Sequence, residues 1–368
     1  MQTEKRIYIG LAVLLVIGGL IYLQSKKSKE EAAARSIPTA SSASLPQLKV
    51  PEDGIDKITK LVIRDKDKPE VVLEKRGEQW WVTKPVEAIA SQQNVKSTLD
   101  NLKAIETTDS INDTPEAPSM YKDYDLEGDK AIHVTAFQGD KGAEKVLEAF
   151  FGKSGSRGQM ARLADKPGIW VVKGFSSFQY ARQVKDWREK SILKFEDKNV
   201  VSVSIDNEEG NFSFSKNGEE WSATHDKKKI DKFDAEKIKD MLRAFRTLNA
   251  EDFADDKKGK PEDTDLGEKP AAVITIVLKD EAGTHKIVFG KTSTGSSRYA
   301  KKEGDETVYV VGSWASEWAV AKVDKFQKAE KKEGEDDKGK RPPVDMPSFD
   351  MPGMPPGMPP GMPPDMGE

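Results

Sequence analysis

Gly77-Glu78-Gln79-Trp80 reads GEQW, and Gly218-Glu219-Glu220-Trp221, far downstream, reads GEEW. The surroundings of the two stretches agree as well. Upstream of the first lie two short β-branched runs, ITKLVI at Ile58–Ile63 and VVLE at Val71–Glu74, parted by the charged turn DKDKP. Upstream of the second lie VVSVSI at Val200–Ile205 and FSFSK at Phe212–Lys216. Each set predicts a hairpin that ends in a glycine-containing turn and a tryptophan strand. Downstream, Val95, Leu99, Leu102 and Ile105 recur at helical spacing after Ser91, and Ile238, Met241, Leu242, Phe245 and Leu248 do so after Asp234, a suitable N-cap. The correspondence continues in step. Asp125-Leu126 matches Asp265-Leu266, the strand Ile132–Thr135 matches Val273–Ile276, FGKS at Phe151–Ser154 matches FGKT at Phe289–Thr292, and IWVV at Ile169–Val172 matches VYVV at Val308–Val311. Shared order and spacing over so many landmarks mark an internal duplication.

The expected fold class is therefore α+β: two tandem homologous units, residues 55–195 and 196–328, each a mostly antiparallel sheet with a covering helix. The first unit is expected to close with a helix from Ser176 through Trp187-Arg188-Glu189-Lys190. The second is expected to close with a shorter helix carrying Trp314, Trp318 and Val320.

Outside the units the composition changes. Ile7–Leu23, IYIGLAVLLVIGGLIYL, carries no charge and is flanked by Lys5-Arg6 and Lys26-Lys27. As a helix it measures roughly 26 Å, near the lower limit for a bilayer core of about 30 Å. Tyr8 and Tyr22 stand where interfacial aromatics belong. A transmembrane helix over 7–23 is expected, with residues 1–6 as a short cytoplasmic N-terminus and the globular region extracytoplasmic or periplasmic. The lysines after the apolar run make a poor cleavage context for a signal peptide. Residues 24–54, rich in Ser, Ala, Lys and Pro, predict a flexible tether. Residues 329–368, a charge run followed by a Met/Pro/Gly repeat, predict a disordered tail.

Composition narrows the chemistry. The 368 residues carry no cysteine, which removes disulfides, thiolate nucleophiles and Cys-type metal sites. The net charge is −4 with both signs interspersed, so nucleic acid is not an expected partner. Gly152-Lys153-Ser154 and Gly290-Lys291-Thr292 imitate the end of a phosphate loop, but Leu147 and His285 stand where its first glycine is required, so strand-end turns are expected. Asp123-Tyr124-Asp125-Leu126-Glu127-Gly128 imitates half a calcium loop whose twelfth position is Val134. His133, His225 and His285 show no metal-ligand spacing. No catalytic, metal or cofactor site is expected. Trp80 and Trp221 are expected in the core, while Trp81, which becomes Ser222 in the second unit, is expected to face outwards as a partner contact. Gly10, Gly18 and Gly19 in the expected span would allow close packing against a neighbouring helix.

An anchor, a tether and two units of the form "ITKLVI…VVLEK…GEQWWVTKP…helix…YDL…FGKS…IWVV…WREK" make the chain resemble the bacterial Domain of Unknown Function 4340 family. The resemblance covers about Gly54 to Lys328. It is closer in the first unit, where Trp187-Arg188-Glu189-Lys190 matches the family's closing element; in the second, Thr224-His225-Asp226 replaces Thr-Lys-Pro and the closing element reads as degenerate. Members are commonly encoded beside ABC permease and auxiliary subunits of the gliding-associated type. The resemblance thus implies an envelope accessory protein with a permease or auxiliary subunit as partner, and it supplies no catalytic residues. Two alternatives remain open on the sequence: an extracytoplasmic enzyme acting on a cell-wall or saccharide substrate, and Cu(I) capture by Met346, Met351, Met354, Met358, Met362 and Met366 of the tail.

Overall fold

The structure, a computed structural model, describes residues 45–279 and 283–329. The expected span 7–23, the residues on either side of it up to 44, and the tail from residue 330 lie outside the described residues. No helix among the described residues is long and apolar enough to cross a membrane.

The first sheet grows from β1 (Ile58–Arg64), whose Leu61 and Ile63 point into the core. β2 (Val71–Arg76), β3 (Gln79–Lys84) and β4 (Ala88–Ile89) extend it on one side. The GEQW stretch supplies the two-residue turn between β2 and β3. Gly77 has φ +62° with open space around its missing side chain, so the glycine is demanded by backbone torsion and not by crowding. On the other side stand β6 (Ile132–Gln138), β7 (Glu144–Gly155), β8 (Gly158–Leu163) and β9 (Ile169–Lys173). Helix α1 (Gln92–Ala104) lies between the two sets in sequence, and β5 (Glu106–Asn112), which follows it, pairs antiparallel with β9 at the far edge. The order is β4-β3-β2-β1-β6-β7-β8-β9-β5.

The second sheet repeats this order strand for strand. It comprises β10 (Val200–Asn207), β11 (Gly210–Asn217), β12 (Glu220–His225), β13 (Lys228–Lys229), β14 (Asp252–Phe253), β15 (Ala272–Leu278), β16 (Thr284–Thr292), β17 (Arg298–Lys302) and β18 (Tyr309–Val311). They run β13-β12-β11-β10-β15-β16-β17-β18-β14, with Gly218 at φ +60° in the GEEW turn. The counterpart of α1 is α2 (Ala235–Phe245), and a short α3 (Ser313–Ala319) follows β18. With nine antiparallel strands to one longer helix in each unit, the balance lies further toward β than the α+β expectation.

The helices form where their caps and apolar stripes say they should. The Asn94 amide donates to Ser91 Oγ at 3.3 Å, and the Glu236 amide to Asp234 Oδ1 at 3.1 Å. α1 buries Val95, Thr98 and Leu102 in the core that holds Leu61, Leu73 and Val82. α2 buries Ile238, Met241, Leu242 and Phe245 against its own sheet.

Four expectations need correction. Ser176–Lys190 is not one helix but two 3-10 turns, Ser177–Gln179 and Val184–Trp187, joined by irregular chain. Tyr180 and Trp187, both fully buried, are seven residues apart and so imitate a helical stripe. The irregular backbone is held instead by a polar stripe on α1: Asn94 Nδ2 donates to the Asp186 carbonyl at 2.6 Å, Thr98 Oγ1 to the Gln179 carbonyl at 3.1 Å and Asn101 Nδ2 to the Gly174 carbonyl at 2.8 Å.

The closing element of the second unit is not degenerate in structure. Val323-Asp324-Lys325-Phe326 forms the same 3-10 turn as Val184-Lys185-Asp186-Trp187. The Ser91 amide donates to the Trp187 carbonyl at 2.8 Å, and the Asp234 amide to the Phe326 carbonyl at 2.9 Å. Arg188 bridges Ala90 as Gln327 bridges Phe233.

The expected tether reaches too far. Leu45, Leu48 and Val50 are buried in the first core, and Thr107 Oγ1 donates to the Pro46 carbonyl at 2.7 Å. In the second unit Ile192 and Leu193 are buried and Phe195 packs half-buried against the core, and the Ile192 amide donates to the Leu248 carbonyl at 2.8 Å. Leu48-Lys49-Val50 and Leu193-Lys194-Phe195 are thus one more pair of matching landmarks.

FGKS and FGKT lie within β7 and β16 at register shifts, not in turns. A side chain at Gly152 would overlap the Tyr124 carbonyl, and one at Gly290 the Thr264 carbonyl. The crossing backbone is held there by Asp125 and Asp265, both at φ +56°. The two motifs are a packing contact made twice, with glycine required for close approach.

Candidate functional site

The expected partner residue Trp81 sits on β3, opposite Glu74 of β2 and Ile89 of β4. It is half-buried instead of facing fully outwards. Alternation along β3 puts Trp80 and Val82 into the core, so Trp81 takes the opposite face. The Arg76 guanidinium lies 5.3 Å from its ring centre and also pairs with Glu87. Ile89, 38% exposed, completes an apolar edge with a charged rim. In the second sheet the same position is Ser222, opposite Ser215, so the edge belongs to the first unit alone. Gly10, Gly18 and Gly19 lie outside the described residues.

A second cluster, not expected from the sequence, joins the units. Arg188, only 5% exposed, directs Nη1 to Asp255 Oδ2 at 2.7 Å and lays its guanidinium 3.6 Å from the Phe253 ring centre. Lys185 pairs with Asp252 at 3.1 Å, and the Ala250 amide donates to the Lys190 carbonyl at 2.8 Å. Arg188 Nε has no hydrogen-bond partner among the described residues. The signal was present in Trp187-Arg188-Glu189-Lys190, but nothing in that stretch says that Arg188 reaches β14. The counterpart residue Gln327 instead donates to the Asp231 carbonyl within its own unit.

Exposed aromatics also occur in pairs. Phe178 is 66% exposed and Trp314 is 64% exposed, each in the segment after the last strand of its unit, β9 and β18. Trp80 is core, as its alternation predicts, whereas Trp221 is only half-buried, a departure from the expected core position.

The titratable groups form surface ladders. Arg64 donates to His133 Nδ1 at 3.1 Å, which leaves Nε2–H to donate to Glu148 Oε1 at 2.9 Å, and Lys145 donates to Glu148 Oε2 at 2.6 Å. His133 stacks on Phe150, and burial pushes it below the usual imidazole range against the pull of Glu148. The Lys145 hydrogen bond lowers Glu148. No group of three or more His, Asp or Glu side chains among the described residues is placed to hold a metal ion.

Two units of one antiparallel topology, joined through Arg188, define a tandem-sheet protein. The sequence matches the family described as "Domain of unknown function (DUF4340)" over residues 80–267 and 256–331, and the chain belongs to that family. No curated protein and no solved structure matches it.

Proposed function

We propose that this chain is a membrane-anchored extracytoplasmic binding or scaffold protein, an accessory component of an ABC-type transport system in the bacterial envelope, without catalytic activity of its own. Residues 7–23 anchor it in the inner membrane with the N-terminus inside, and the two units act on the outer side. The observation that carries the reading is Trp81. A large aromatic kept half-open beside Ile89, rimmed by the Arg76–Glu87 pair, has the composition of an interface hot spot. The duplicated counterpart is a serine, so the fold does not need an aromatic there. The uncharged run of residues 7–23 and the family membership support the envelope setting.

The test is affinity purification of the full-length chain from gently solubilised native membranes, beside Trp81→Ala and the pair Gly18→Leu with Gly19→Leu. Recovery of a permease and its ATPase in near-equal amounts, reduced by either variant while the melting temperature holds, is the expected outcome. Recovery of the chain alone contradicts it.

A further inference from the structure

The duplication exposes one place where the second unit has opened and the first has not. In the first unit Trp80 is 7% exposed, and Gln92 in the first turn of α1 ties that turn to its strand: the Trp80 amide donates to Gln92 Oε1 at 2.8 Å, and Gln92 Nε2 donates to the Trp80 carbonyl at 3.0 Å. The counterpart of Gln92 is Ala235, which has no side chain to make this tie. The 3-10 turn that packs beside α1, Glu52–Lys57, is six residues long and presses Ile55 on the core, whereas its counterpart Asp197–Asn199 has three. The result is a groove of about 350 Å³ between β12 and α2 with Trp221 at its base, continuous through Asp197, Lys198 and Arg246 with a second hollow of about 440 Å³.

The lining is cationic: Lys198, Lys216, Lys239, Arg243 and Arg246 against Asp197 and Glu219. At Arg243 the first unit has Asp100, so the same helix position has reversed its charge. The cations engage neighbouring acids, for example Arg243 with Asp240 at 2.7 Å and Lys239 with Glu236 at 2.6 Å. Such exposed pairs are worth little and exchange readily for a ligand carboxylate. Asp197 accepts from Arg246 through Oδ2 at 3.1 Å.

We propose that this groove binds an acidic saccharide, a hexose ring bearing a carboxylate. The C–H face of the ring stacks on Trp221, and the carboxylate meets Arg243 and the lysines. This site lies in the second unit, away from Trp81, so it stands or falls independently of the partner reading.

The test is calorimetric titration of the full-length chain, in a detergent without a sugar headgroup, with tetragalacturonate, neutral maltotetraose and hexaglutamate. Saturable binding of tetragalacturonate alone is expected, weakened at least about tenfold by Arg243→Asp, which restores the charge of the first unit, and by Trp221→Ala. Arg243 is exposed, so its variant keeps the fold even where Trp221→Ala does not. Absence of saturable heat, unchanged affinity in Arg243→Asp, or equal binding of hexaglutamate would overturn the proposal.

Discussion

At the residue scale, the duplication separates what the fold demands from what has been free to change. Gly152 and Gly290 are demanded, because each lies under a crossing carbonyl that a side chain would meet. Gly152→Ala and Gly290→Ala should each cost about 2 kcal/mol, read as a lower urea midpoint, since the obstacle is backbone and not a flexible side chain. The identical substitution at Gly77 tests torsion alone, because nothing lies within reach of the added methyl. His133 gives a pH signature. Its folded pKa is depressed by burial, so between that value and the unfolded one near 6.5 the unfolded chain binds more protons. Stability should therefore fall as pH drops below about 6.5. His285, lowered in the same direction by burial, contributes to the same window. Urea midpoints measured from pH 7.5 down to 5 should show a shallower acid slope in His133→Asn than in the parent; an unchanged slope would remove His133 from the account. The residue pattern made the GEQW and GEEW turns, the Asp234 cap and the buried Trp80 legible, since each follows from local torsion, capping or alternation. The glycine contacts were not legible, because the carbonyls that enforce them lie about thirty residues away in sequence and only folding brings them together.

At the element scale, the segments that sequence periodicity handles worst are those held by partners distant in the chain. Ser176–Lys190 imitates a helix through Tyr180 and Trp187, yet Asn94, Thr98 and Asn101 of α1 take up its backbone groups and leave no need for helical bonds. Asn94→Ala should thus loosen the closing segment and expose Asp186 to faster amide exchange, with α1 itself retained. The clasp follows the same logic. Arg188→Gln, which installs the residue of the second unit, removes both the Asp255 pair and the stack on Phe253. A loss of about 2 kcal/mol is expected, below the cost of breaking a fully buried pair because Asp255 is half in water. A double-mutant cycle with Asp255→Asn should give a coupling of about 1 kcal/mol; additive losses would mean that the pair does not hold the units. Leu45–Val50 was unreadable as part of the fold for a different reason: three apolar residues among Pro, Gln and Lys carry no period, and only comparison with Ile192–Phe195 shows that they belong.

At the scale of the whole molecule, two copies of one topology carry different surfaces: an aromatic edge on the first, an open cationic groove on the second, and a clasp between them that Gln327 does not repeat. Specialised faces on a duplicated scaffold are what a protein that brings partners together requires, and the edge on the first unit lies nearest in sequence to the expected anchor. The most direct measurement of that central claim is site-specific photo-crosslinking from position 81 in native membranes, with a probe at the counterpart position 222 as control. A discrete adduct between position 81 and a subunit of a transport complex is expected, and none of that mass from position 222. The same adduct from both positions, or no adduct from position 81, would contradict it.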